Sequence, residues 1–219
     1  MTSVSLAPAQ RPVVFDFGAV VFRWRPIDLM MRVLPTRATS PETAPHWVKE
    51  VFQDFKGDWG TFDAGQIEVE PLCQRIAART GLSPQEVHAV VLGVAEELQP
   101  MPDTLALMRE LHAAGHLIYF LSNMPSPLAD HLEQHHRQVF ELMSDGVFSG
   151  RVGLIKPDPA IFALTLAQFG WRAEQANQAL FIDDHSANVA ASIEAGLPAL
   201  RFTTAELLRS DLRQRGYRV

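Results

Sequence analysis

Four short apolar runs constrain the fold of this chain more than any other feature: VVFDF (13–17), LIYFL (117–121), ALFID (179–183) and PALRF (198–202). Each is too short for a helix and rich in the β-branched and aromatic residues that suit strands. Longer stretches with helical spacing separate the later runs, and such alternation predicts a parallel sheet in an α/β domain. The interval from about 24 to 98 breaks the rhythm. It contains no comparable strand but several amphipathic pieces, among them ETAPHWVKEVFQDF and SPQEVHAVVLGVAEEL, and it reads as a helical insertion after the first strand. Its exit, LQPMPDT, is proline-rich punctuation before a helix expected over 103–115, with Asp103 or Thr104 as its cap.

A chain of 219 residues, 47% of them hydrophobic, can bury one large domain or one domain with a modest insertion. A net charge of −6 with no Lys/Arg block gives no footprint for nucleic acid or an anionic membrane surface. No apolar run approaches the ~18 residues of a membrane span. The single cysteine, Cys73, excludes an intrachain disulfide and a cysteine-based zinc site, and its helix-like surroundings make it a core thiol. These features fit a cytoplasmic protein, expected as a monomer or homodimer. The opening MTSVSLAPAQRP has neither a basic start nor a long apolar segment, and residues 1–11 read as a loose tail.

In an open parallel sheet, ligands bind beyond the carboxyl ends of the strands. Asp16 ends the first run, Ser122 and Asn123 follow the second, and Asp183 and Asp184 close the third. GLIKPDPAIF contributes Lys156 just before a helix-starting proline. Each residue alone has a plainer reading. Asp16 suits a turn or a cap, Ser122 or Asn123 could cap a helix beginning near Pro125, Lys156 belongs on the surface, and Asp184 and Ser186 could cap the helix in ANVAASIEAG. The conjunction changes the balance, because three neighbouring carboxylates stay ionised together only around a cation. Their hard oxygens suit Mg²⁺, which readily takes a substrate phosphate as a further ligand.

In the order DFGAV, FLSN, GLIKPDPAIF and FIDDHSAN, the chain resembles the haloacid dehalogenase superfamily, with all four of its motifs spread over almost the whole sequence. The resemblance implies a Rossmann-like parallel-sheet core over 12–23 and 99–219 with a small helical cap domain over 24–98. It implies hydrolysis of a small phosphorylated metabolite, with Asp16 attacking phosphorus to give an aspartyl-phosphate. Ser122, Asn123 and the backbone beside them would bind the phosphate, and Lys156 would offset the charge it shares with the nucleophile. Asp16, Asp183, Asp184 and the Gly18 carbonyl would hold Mg²⁺. The spelling of the first motif is most similar to a D-x-G subgroup that includes sugar-phosphate phosphatases.

Gly18 stands where most phosphatases of that superfamily carry a second aspartate, the one that protonates the leaving group and later activates water. General acid–base catalysis contributes roughly 10² to 10⁴ in rate, so the substitution calls for a chemical explanation. One is an acid from the cap, where WGTFDAGQIE (59–68) offers Asp63 and Glu68, although a helix cap and a solvated face are the plainer readings of those two. Another is a 2-haloacid dehalogenase, which needs no acid there and no metal; the Asp183–Asp184 pair argues against it. The third is a non-catalytic phosphate binder or phospho-aspartate switch. Elsewhere, His131, His135 and His136 read as a solvated helix face and His185 as a loop residue near the site. Trp47, Phe52, Phe55, Trp59 and Phe62 read as cap core, one or two of them facing the cleft.

Overall fold

The computed structural model describes residues 11–219. Of the expected tail, residues 1–10 lie outside the described part. A five-stranded sheet, parallel throughout, has the order β3-β2-β1-β4-β5, with β1 Val13–Phe15, β2 Ile118–Ser122, β3 Asp145–Phe148, β4 Leu180–Asp183 and β5 Ala199–Arg201. The two central strands neighbouring β1 are in register with it, Phe15 pairing with Phe120 on one side and Ile182 on the other. Successive side chains of a strand point to opposite faces. Val13 and Phe15 accordingly join one apolar cluster, while Val14 joins a second with Tyr119, Leu121 and Phe181. Burial on both faces explains why these strands are continuous apolar runs rather than alternating ones.

The helices are α1 Pro26–Val33, α2 Ala44–Phe52, α3 Gly57–Asp63, α4 Val69–Thr80, α5 Pro84–Glu97, α6 Pro102–Ala113, α7 Ser126–His135, α8 Arg137–Phe140, α9 Ser149–Val152, α10 Pro159–Gln168, α11 Ala173–Ala176, α12 Ser186–Glu194 and α13 Ala205–Gln214. Helices α1 to α5 fill the interval between β1 and α6, as the amphipathic pieces predict. The start of α5 is a capping box: the Glu86 N–H donates to Ser83 Oγ at 3.1 Å, and the Ser83 N–H donates to the Glu86 carboxylate at 2.7 Å. The two connections to this helical segment run side by side. Arg23 N–H donates to the Gln99 carbonyl and Met101 N–H to that of Val21, both at 2.8 Å. Glu97, 4% exposed, is held beside them by Arg23 Nε at 2.8 Å and by Arg32. One apolar cluster runs without a break from Phe15 in the sheet to Leu29, Ile76 and Val90 in the helices.

The structure departs from the sequence reading at three places. DGVF, short and opening with Asp and Gly, carries no strand signal, yet it forms β3. Its pairing relies on a missing side chain, since a Cβ on Gly146 would lie 2.0 Å from the Phe120 ring. Neither Asp103 nor Thr104 caps α6, which begins at Pro102 with Met101 as the preceding residue; Thr104 is fully buried in the helix's inner face. His136 is not on a solvated face. It ends α7, is 7% exposed and packs its ring 5.4 Å from that of Phe22, whereas His131 and His135 stack on one another at the surface.

Candidate active site

Immediately after β1 the chain turns sharply. The Asp16 N–H still donates to the Ile182 carbonyl at 2.8 Å, and the Phe17 carbonyl then accepts from Val20, Val21 and Phe22 in turn. Phe17 anchors this loop, stacked 4.7 Å from Phe120 and edge-on to Phe22 and Phe148. The turn places Ala19 at φ +58°, a conformation costly for a residue with a Cβ and held here by its neighbours. Asp16 and Gly18 thereby face the same cavity, and a Cβ on Gly18 would meet nothing within 4 Å.

Lys156 ties the strand ends together. Its Nζ lies 2.8 Å from Asp16 Oδ1, 2.7 Å from Asp183 Oδ2 and 3.0 Å from the Leu121 carbonyl, with the residue 3% exposed. Asn123 fixes the lysine's backbone from both sides, Nδ2 donating to the Lys156 carbonyl at 2.9 Å and Oδ1 accepting its N–H at 2.8 Å. Asn123 therefore does not cap the following helix. Asp183 is saturated: besides Lys156 it accepts from the His185 N–H and from Asn188 Nδ2. Asp184 is half-buried and lines the cavity, and no side chain among the described residues hydrogen-bonds to its carboxylate. Ser122 Oγ is buried at the end of β2 and has no hydrogen-bond partner among the described residues.

Carboxylate oxygens of Asp16, Asp183 and Asp184 lie within 4.8 Å of one another. Burial raises the Asp16 carboxyl to about 7, with Lys156 opposing and Asp183 and Asp184 reinforcing. The Asp184 carboxyl is also raised, by burial first and by Asp183 second. For Lys156 burial works toward the neutral amine, but the two adjoining carboxylates outweigh it and the ammonium is favoured. One ammonium among three acids leaves negative charge to be balanced, and the Asp184 carboxylate, which no side chain among the described residues engages, lies where a hard divalent cation fits. Asp183, whose oxygens are already occupied, contributes charge and holds the loop rather than offering a free lone pair.

The cavity above these residues holds about 500 Å³. Its upper wall comes from the helical segment and is mostly apolar, with Trp24, Phe55, Trp59, Val94 and Leu98 opposite Leu128 of α7. Of the two acids in WGTFDAGQIE, Asp63 is 3% exposed and lines this cavity, while Glu68 is exposed and does not. His185 lies at the mouth. Among the aromatics expected in the cap core, Phe52 and Phe62 are buried and Trp47 half-buried, while Phe55 and Trp59 reach the cavity. Sequence reading missed Asn188, whose place in FIDDHSAN one turn into α12 puts its amide back over Asp183, and Trp24, for which no local signal exists.

A family model described as haloacid dehalogenase-like hydrolase matches residues 15–196. The sesquiterpene phosphatase astK of Aspergillus oryzae is 28% identical over 208 residues, covering 93% of this chain and 95% of that protein. Among solved structures, a HAD family enzyme of Bacteroides thetaiotaomicron, in complex with magnesium and inorganic phosphate, superposes with a TM-score of 0.66. It is 19% identical, over 89% of this chain and 94% of that one. The L-2-haloacid dehalogenase of Xanthobacter autotrophicus, with chloropropionic acid covalently bound, gives 0.65 at 19% identity, over 94% and 83% of the two chains.

Proposed function

The chain belongs to the haloacid dehalogenase-like hydrolases, and from that premise we propose that it is a Mg²⁺-dependent phosphatase acting on a phosphate monoester with a sizeable apolar organic group. The observation that carries the reading is the third carboxylate. Asp184, beside a saturated Asp183 and within reach of Asp16, is a liability in an enzyme that needs only a carboxylate nucleophile, and it is useful where a cation and a phosphate meet. Asp16, Asp184 and the Gly18 carbonyl would hold Mg²⁺, with Asp183 adding charge, and the ion would supply charge neutralisation for the phosphoryl oxygens.

In this reading Asp16 attacks phosphorus in line with the leaving oxygen, and no proton has to leave the carboxylate first. Lys156, already bonded to Asp16, lowers the repulsion between nucleophile and phosphate dianion. Ser122 Oγ, which otherwise pays the cost of burial without a partner, donates to a phosphate oxygen together with nearby backbone N–H groups. Asn123 acts by fixing Lys156. Residues 24–98 serve as a cap that encloses the organic group. The apolar upper wall favours a hydrocarbon over a sugar, whose hydroxyls would be left without partners there. An apolar group also agrees with the A. oryzae relative, a sesquiterpene phosphatase.

The test is hydrolysis of 4-nitrophenyl phosphate with Mg²⁺ and with chelator, alongside chloride release from 2-chloropropionate. Phosphate release that needs Mg²⁺ and falls at least ~10³-fold in folded Asp16→Asn is expected. Chloride release undiminished by chelator would establish the dehalogenase reading instead.

A further inference from the structure

Gly18 leaves the place two residues after Asp16 without an acid, yet expelling an alkoxide and hydrolysing an acyl phosphate both call for proton transfer. Five aspartates line the cavity: Asp16, Asp54, Asp63, Asp158 and Asp184. Asp16 and Asp184 are already engaged as nucleophile and metal ligand. Asp158 is occupied as the cap of α10, accepting the Ala160 N–H at 2.8 Å, and Asp54 lies exposed in a turn. Asp63 differs from Asp54 and Asp158 in being buried, 3% exposed, and from Asp16 and Asp184 in having no charged group acting on it.

Its position is locked by a chain of short contacts. Ser149 Oγ donates to the Asp63 carbonyl at 2.5 Å and accepts the Met124 N–H at 2.8 Å, which joins the end of α3 to the loop that carries Ser122 and Asn123. Two residues later Gly65, at φ +68°, approaches Gly150 so closely that a Cβ would lie 2.1 Å from its carbonyl oxygen. These contacts tie the Asp63 backbone, from which its side chain enters the cavity, to the segment that follows Ser122.

We propose that Asp63 is the general acid and base of the reaction, delivered from the helical segment in place of the acid missing at Gly18. As an Asp16 oxygen bonds to phosphorus, the bond to the leaving oxygen breaks with its electron pair, and the Asp63 carboxyl gives that oxygen its proton, releasing the alcohol. In the second step the Asp63 carboxylate takes a proton from water as the water oxygen attacks phosphorus, freeing Asp16 and inorganic phosphate and restoring the Asp63 carboxyl. Burial pushes the Asp63 carboxyl well above its ordinary range, against a weaker pull from the Trp59 side chain, a shift in favour of the protonated form that the first step uses.

The inference rests on the phosphatase reading, and rapid-mixing kinetics separate the two. Hexyl phosphate has a basic leaving group and 4-nitrophenyl phosphate an acidic one that leaves without protonation. In Asp63→Asn, hexyl phosphate turnover should fall ~10²- to 10³-fold. First-turnover release of 4-nitrophenol should stay within about threefold of native and appear as a burst near one equivalent, because hydrolysis of the intermediate has lost its base. Equal losses on both first turnovers, or no loss on either ester, would overturn the role of Asp63. A native enzyme that releases phosphate from neither ester would remove the phosphatase reading itself. Should Asp63→Asn fail to fold, Asp63→Glu serves, since it keeps the carboxyl but displaces it by one methylene. Hexyl phosphate turnover should then fall at least ~10-fold while first-turnover release of 4-nitrophenol stays within about threefold of native, and equal changes on both esters would overturn the proposal.

Discussion

Two buried acids of this chain, Asp16 and Asp63, answer to different surroundings. Asp16 has Lys156 at 2.8 Å and two further carboxylates close by, whereas Asp63 has burial and an indole neighbour, with no charged group acting on it. The second case sets up a direct linkage test. The unfolded chain ionises Asp63 near pH 4, while the folded chain keeps it protonated to well above that, so the folded state binds more protons in between. Stability contributed by Asp63 is therefore present below about pH 4 and is lost at ~1.4 kcal/mol per pH unit as pH rises toward the folded value. Asn does not titrate. The melting temperature of Asp63→Asn relative to native should accordingly climb between pH 5 and pH 7, and thermal unfolding at several pH values checks it; a constant difference would mean that Asp63 ionises in the fold as easily as in water.

At the scale of elements, the end of α3 and the start of α9 meet at closely packed backbone bridged by one side-chain hydroxyl. Gly65 and Gly150 lie too close for any Cβ, and Ser149 bridges the two elements. Gly65→Ala has to place a left-handed alanine against a carbonyl oxygen, and α3 has to withdraw from the sheet edge to make room. Gly81 provides the control, because its φ is similar at +74° but a Cβ there meets nothing within 4 Å. Gly81→Ala should cost the backbone contribution alone, ~1–2 kcal/mol. Gly65→Ala should cost at least ~1–3 kcal/mol more from the forced overlap, read as the difference in unfolding midpoint between the two variants. It should also slow turnover, since Asp63 and Met124 are carried on the same contact.

For the whole molecule, the topology concentrates charge. The central strand β1 has β2 on one side and β4 on the other, and the residues closing all three strands converge at one edge of the sheet. Three carboxylates and one ammonium there make the folded state a better ligand for a divalent cation than the unfolded chain, in which Asp16, Lys156 and the Asp183–Asp184 pair lie far apart in sequence. Mg²⁺ should therefore raise the melting temperature, by an amount equivalent to ~2.7 kcal/mol at a concentration 100 times its Kd. Asp184→Asn should move that rise to higher Mg²⁺ concentration while leaving the metal-free melting temperature unchanged or higher, since it removes a crowded negative charge. A melting temperature indifferent to Mg²⁺ would contradict the charge balance drawn for the site.

The sequence by itself determined the α/β class, four of the five strands, the helical stretch between the first two of them and the residues that close the strands. Those features are local: a strand buried on both faces must be an apolar run, and its last residue is marked by the first polar side chain. Tertiary structure alone decided the rest, because it depends on which surfaces meet. Strand β3 exists through Gly146 lying under Phe120, a contact between segments 26 residues apart in number. His136 turns inward because Phe22 is there to receive it. Trp24 and Leu98 become cavity wall only when the helical segment closes over the sheet edge. Asp63, one acid in an ordinary amphipathic stretch, acquires its burial and its raised pKa from the same closure, since proton affinity is set by surroundings that no single stretch of chain contains.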